Sequence, residues 1–208
     1  MREASWMADR AFADVHTQVT DAPRWQCKWH VLKEYHTPCS VSGYRAGERE
    51  EIYGIGNTLM NGGASVIWER LITAAASTGS SGGTLQAFST GNAAIAVGIS
   101  TATAAATQTD LQAATGSTAR FIQEMESGYP AHSDGTSSSG ARECQFRAIF
   151  GTTEGNFAWQ EWGIFNDPNT TGLSGSYALG RMLNRKVQSL GTKTTSATWT
   201  FTCTLGLS

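Results

Sequence analysis

The chain has 208 residues, of which 15% are charged and 23 are Gly, and its formal net charge is −2. That length can bury one core, and its charged fraction is well below the roughly 25% of an ordinary soluble domain. Lys and Arg are scattered rather than gathered in runs, so the sequence offers no basic footprint for nucleic acid, and no run reaches the ~18 apolar residues of a membrane span.

The opening residues, MREASWMADRAFADVHTQ, lack the apolar core of a secretory signal. Synthesis in the cytoplasm is the expectation, with Cys27, Cys39, Cys144 and Cys203 as reduced, mostly buried thiols. Residues 1–54 are expected to form an extended N-terminal arm. Trp6, Met7, Ala11, Phe12 and Val15 fall near one helical face, and Trp25, Cys27, Trp29 and Val31 alternate with polar residues as a strand does. Residues 43–57 mix charge with Ile52 and Tyr53, which suits a hairpin or an extended link. Asn61 is placed to cap a helix at about 63–76, where Ala64, Ile67, Trp68, Leu71, Ile72 and Ala75 repeat at helical spacing. STGSSGG at 77–83 ends it.

From there the pattern is β. Ile95, Val97 and Ile99 alternate with the small residues Ala94, Ala96 and Gly98, a face that implies close approach of another backbone or sheet. Thr109 to Gln112 has the form of a capping box and predicts a turn of helix. Segments 120–125, 144–150, 157–165, 182–190 and 198–205 each alternate at strand spacing, with turn-rich tips at 132–141 and 166–176. These elements predict a mainly β fold. The architecture expected is an antiparallel, jelly-roll-like β-sandwich over 55–208, with one amphipathic helix.

Candidate chemistry is sparse. Cys27, His30, His36 and Cys39 have the side chains of a zinc site, but Cys27 and His30 are an odd number apart on a strand and point to opposite faces, which disfavours one. The carboxylates Glu154 and Glu161, and Glu124 and Glu126, are the pairs to test against the two carboxyls of a glycosidase. Glu161, however, alternates with Phe157, Trp159 and Phe165 on a face expected to be buried or at an interface, where pairing with Arg181 or Arg185 is the better reading. Trp159 and Trp162 cannot share a face of a regular strand, so one face is expected in the core and the other at an interface or a glycan. The sequence has no HExxH and no Walker loop. No enzyme and no cofactor are expected.

Four stretches, GNTLMNGGASVIWERLIT, NAAIAVGISTATAAATQTDLQAAT, FRAIFGTTEGNFAWQEWGIFND and GRMLNRKVQSLGTKTTSATWTFTCTL, resemble a group of tailed-bacteriophage virion proteins. The similarity covers roughly residues 55–208. Glu161 to Phe165 is also similar, more weakly, to a strand of tail-collar fibre proteins. The resemblance implies a structural virion component assembled in the host cytoplasm: a capsid decoration or minor capsid protein. Its partners would be the major capsid protein and further copies of itself, as a trimer or dimer. A tail-fibre, collar or baseplate component binding host glycans is the alternative. Trp6, Trp25, Trp29, Trp159, Trp162 and Glu161 are the interface candidates.

Overall fold

The computed structural model describes residues 25–38, 40–41, 43–64, 67, 88, 91–132, 143–166 and 181–207. Trp6, Cys39, both turn-rich tips apart from His132 and Asn166, and all but the start of the expected helix lie outside them. Ten strands are described: β1 Trp25–Tyr35, β2 Arg49–Ile55, β3 Thr58–Leu59, β4 Ala93–Gly98, β5 Arg120–Glu124, β6 Ala131–His132, β7 Glu143–Phe150, β8 Ala158–Asn166, β9 Arg181–Thr192 and β10 Ala197–Leu207. They form two antiparallel sheets, ordered β2-β1-β10-β7-β6 and β3-β9-β8-β4-β5, packed as a sandwich. The first and last described strands lie side by side.

Alternation decides the inner face of the first sheet. Cys27, Trp29, Val31 and Tyr35 of β1 point inward with Trp199, Phe201, Cys203 and Leu205 of β10 and Phe146, Ala148 and Phe150 of β7, and all are buried. Opposite them lie Ile95, Val97, Trp162, Ile164 and Leu183 of the second sheet. Rings fill the gap. Phe150, Trp159 and Trp199 meet edge to face at 4.6 and 4.7 Å between centroids, and Trp162 lies 4.9 Å from Phe201 and 6.3 Å from Trp29. Such pairs add roughly 0.5–1.5 kcal/mol each beyond area burial.

Three expectations change. The boundary at residue 54 does not set off an arm from the sandwich, because β1 pairs with β10 from Trp25↔Leu207 to Tyr35↔Ala197 and β2 pairs with β1. Trp159 and Trp162 do share the main core, because the β8–β9 register shifts between Trp159 and Glu161 and again between Ile164 and Phe165. These irregularities re-aim side chains that strict alternation would place on opposite faces. Residues 109–112 form no turn of helix. Instead the Asp110 carboxylate accepts a hydrogen bond from the Leu111 amide at 2.7 Å and pairs with Arg120 at 2.9 Å.

Helical residues 61–64 follow β3, with the Ala64 amide bonded to the Met60 carbonyl at 3.0 Å. Asn61 is therefore the first helical residue, and Met60 stands at the cap. Met60, Leu111, Ile122, Phe165 and Met182 join Ala94 and Ala96 in a second, smaller core. It lies on the outer face of the second sheet.

Candidate interface

Two polar assemblies fix the surface on which a partner could sit. One pins the segment 99–119 across the second sheet. Glu161, fully buried on β8, accepts hydrogen bonds from the Gln112 and Ala113 amides at 3.1 and 2.7 Å and from Arg185 Nε on β9 at 2.7 Å. Arg185, also fully buried, donates to Gln108 Oε1 at 2.8 Å and to the Ala102 carbonyl at 2.9 Å. Arg120 donates to the Ala113 and Leu111 carbonyls and to Asp110. Glu161 thus has the partner its burial requires. Fully buried, the pair holds the covering segment to the sheet and offers no surface to a partner.

The other assembly closes one end of the sandwich. Lys33 Nζ pairs with Glu50 at 3.1 Å and lies 4.4 Å from the centre of the Trp199 ring. Lys193, 1% exposed, donates to the Gly151 carbonyl at 2.5 Å and to Asn156 Oδ1 at 3.0 Å. Burial draws the Lys193 amine down to about 8, with the Glu154 carboxylate pulling weakly the other way. Lys33 is lowered by the same cause, against Glu50.

The remaining sequence candidates are placed as follows. Trp29, Trp159 and Trp162 are 2%, 0% and 0% exposed, so they are core residues and not contacts for a partner. Cys27 faces the core with its Sγ 3.5 Å from Cys203 Sγ. His30 lies on the opposite face, stacked on Tyr53 at 4.4 Å and 3.3 Å from the Glu51 carboxylate, while His36 bonds Thr198 at 2.8 Å. The described members of the Cys/His set therefore do not converge. Glu126 pairs with Arg147 at 2.8 Å, and Glu154 accepts from the Gly151 amide at 2.7 Å.

The surface that stands out is the edge strand β2, in the stretch expected to be a hairpin or an extended link. Among the described residues β2 pairs only with β1, and it carries Tyr53 at 66% and Ile55 at 77% exposure. Beside Ile55 opens a mainly apolar hollow of about 260 Å³ lined by Trp25, Gln26, Cys27, Lys28 and Gly56. Across Gly56 lies a wider cleft of about 430 Å³ bounded by Asn57, Thr58, Thr101, Thr103 and Lys186. The Trp25 indole donates to Asn57 Oδ1 at 2.7 Å and Lys186 Nζ to the Ile55 carbonyl at 3.3 Å, tying the two depressions together. Of the interface candidates read from the sequence, Trp25 is the one among the described residues that lies here, and Cys27 of the Cys/His set lines the same hollow. The missed signal was REEIYGI, in which Tyr53 and Ile55 share the parity of charged Arg49 and Glu51 and so fall on the outer face.

No protein family, curated protein or solved structure matches the chain. No helix among the described residues is long and apolar enough to cross a membrane.

Proposed function

We propose that this chain is a structural protein of a tailed-phage virion, decorating the capsid by seating its β2 edge on the major capsid protein lattice. The observation that carries this reading is the patch of Tyr53, Ile55 and the apolar hollow on a strand edge that pairs with no other strand among the described residues. Singly exposed apolar residues need no explanation, but two on an edge strand beside an apolar depression fit a contact surface. The low charge of the chain and the resemblance over residues 55–208 support the same reading.

The mechanism would be mass action. A protein that binds only the assembled lattice favours that state, and many weak sites on one shell add through multivalency. Self-association as a trimer or dimer would use the same exposed edges. Particles lacking this protein should lose resistance to heat and low salt, and adding back the purified chain should restore it unless Tyr53 and Ile55 are replaced by Ser. Particles that survive equally well without it would overturn the reading.

The wider cleft favours a second reading. Its amide, hydroxyl and ammonium lining suits the hydroxyl groups of a glycan, as a tail-fibre, collar or baseplate component would require. Copy number in purified virions separates the two: many copies per particle for the shell, few for the tail.

A further inference from the structure

Two thiols from opposite ends of the sequence meet inside the first sheet. Cys27 on β1 and Cys203 on β10 are 176 positions apart, and their sulfurs lie 3.5 Å from each other. The β1–β10 register pairs Cys27 with Leu205 and Trp29 with Cys203, so the two cysteines are diagonal neighbours on the inward face. A disulfide needs the sulfurs at about 2.0 Å, and side-chain rotation supplies most of a movement of that size. Cys203 is wholly buried, but Cys27, 4% exposed, lines the hollow beside Ile55. Because the Cys27 sulfur points into the core, a reagent reaches it when this end of β1 opens beside the hollow.

We infer that Cys27 and Cys203 are a latent disulfide, left open on synthesis and closed by a small-molecule disulfide once the protein meets oxidising surroundings. The Cys27 thiolate attacks the reagent R–S–S–R, forming Cys27–S–S–R and releasing one thiolate. The Cys203 thiolate then attacks the Cys27 sulfur, forming the protein disulfide and releasing the second. The two protein protons leave on the two released RSH molecules, so one disulfide is reduced as one is made. Burial raises the Cys203 thiol well above its usual range, which makes the second step slow and the pair inert while reducing conditions last.

The third described thiol gives the inference its specificity. Cys144 on β7 stands across β10 from Leu205 and is only half-buried, so exposure alone would make it the site of oxidation. Proximity favours Cys203 bonding to Cys27. The bond would join the first described strand to the last and close a loop that includes nearly every other described residue. Closing so long a loop constrains the unfolded chain strongly.

The test uses the reduced, full-length protein, incubated with oxidised glutathione at about pH 8.5, where free thiols are half ionised, then unfolded and alkylated. Two of the 4 cysteines should escape alkylation, and one cross-linked peptide should join Cys27 to Cys203. The melting temperature should rise by roughly 5–10 °C and fall back on reduction. Cys144→Ala should keep all of this, and Cys27→Ser should abolish it. Four alkylated cysteines, a persistent glutathione adduct, or a bond to Cys39 or Cys144 would overturn the inference.

Discussion

The two sheets have the same number of strands and the same kind of inner face, yet their outer faces have opposite fates. On the first sheet, Lys28, His30, Leu32 and Glu34 of β1 run beside Thr198, Thr200, Thr202 and Thr204 of β10, a mostly polar face with Tyr53 and Ile55 at its β2 margin. On the second, Ala94, Ala96, Gly98, Ile122 and Phe165 are small or apolar, and the segment 99–119 lies over them. A covering segment outside any strand ladder has amides and carbonyls that must be satisfied. Glu161, Arg185 and Arg120 supply those partners from the sheet. Buried charge here does the work that ladder hydrogen bonds do elsewhere.

The largest effect should come from breaking that arrangement. Arg185→Ala leaves the Glu161 carboxylate buried without its cation and should cost about 3–5 kcal/mol, read from urea unfolding midpoints. Glu161→Gln with Arg185→Met should cost less than the Arg185→Ala single change. A double variant worse than the single would mean that the Gln112 and Ala113 amides, not the ion pair, dominate. Gly98→Ala comes next, at about 2–3 kcal/mol. Its new Cβ would stand 2.7 Å from Glu161 Oε1 and 2.9 Å from the Ala113 Cβ, pushing the covering segment off the sheet. No such change on the first sheet's outer face should matter as much.

This contrast also explains what the sequence made legible. Alternation placed β1, β7 and β10, identified the inner face of the first sheet, and marked 94–98 as a face that another backbone approaches. Apolarity on both faces marked β8 as either central to the sandwich or part of a subunit contact, and β8 is the middle strand of the second sheet. Arg185 was one of two cations proposed for Glu161, and it is the one that bonds the carboxylate. Three things were not legible. The pairing of residue 25 with residue 207 leaves no local trace, so β1 looked like part of an arm. Register shifts in β8 carry no residue signature, so Trp159 and Trp162 were expected on opposite faces. The β2 patch mixes Tyr53 and Ile55 with Arg49 and Glu51, which hides an apolar surface inside a charged stretch.

The lysine end of the sandwich offers a smaller, pH-dependent effect. The Lys193 amine titrates at about 8 when folded and at its ordinary 10.5 when unfolded. Between those values the unfolded chain holds a proton that the folded chain has lost, so this group's contribution to stability grows as pH rises above 8. The gain should reach about 1–2 kcal/mol by pH 9.5. Cysteine titration works in the opposite direction above about 9, since burial raises Cys144 and Cys203, so the informative quantity is the difference from Lys193→Met. The wild type should gain on that variant between pH 7 and 9.5. A constant difference would show that the amine stays protonated through the window.

The smallest effect on stability should come from the surface with the largest proposed role. Tyr53→Ser and Ile55→Ser remove side chains that are mostly in water, so each should shift stability by no more than about 0.5 kcal/mol. The Tyr53 ring does stack on His30 and its hydroxyl bonds Glu51, which puts the Tyr53 change at the upper end of that range and Ile55 nearer zero. The same pair should abolish partner binding if the β2 edge is the contact, because exposed apolar area at the centre of an interface is worth far more once covered. Circular dichroism melts and a particle-binding assay on the same preparations read both quantities. Unchanged binding with unchanged melts would move the contact away from β2 and leave the cleft around Asn57 and Lys186 as the surface to probe. Loss of both would instead mean that this edge is held by packing that its exposure does not reveal.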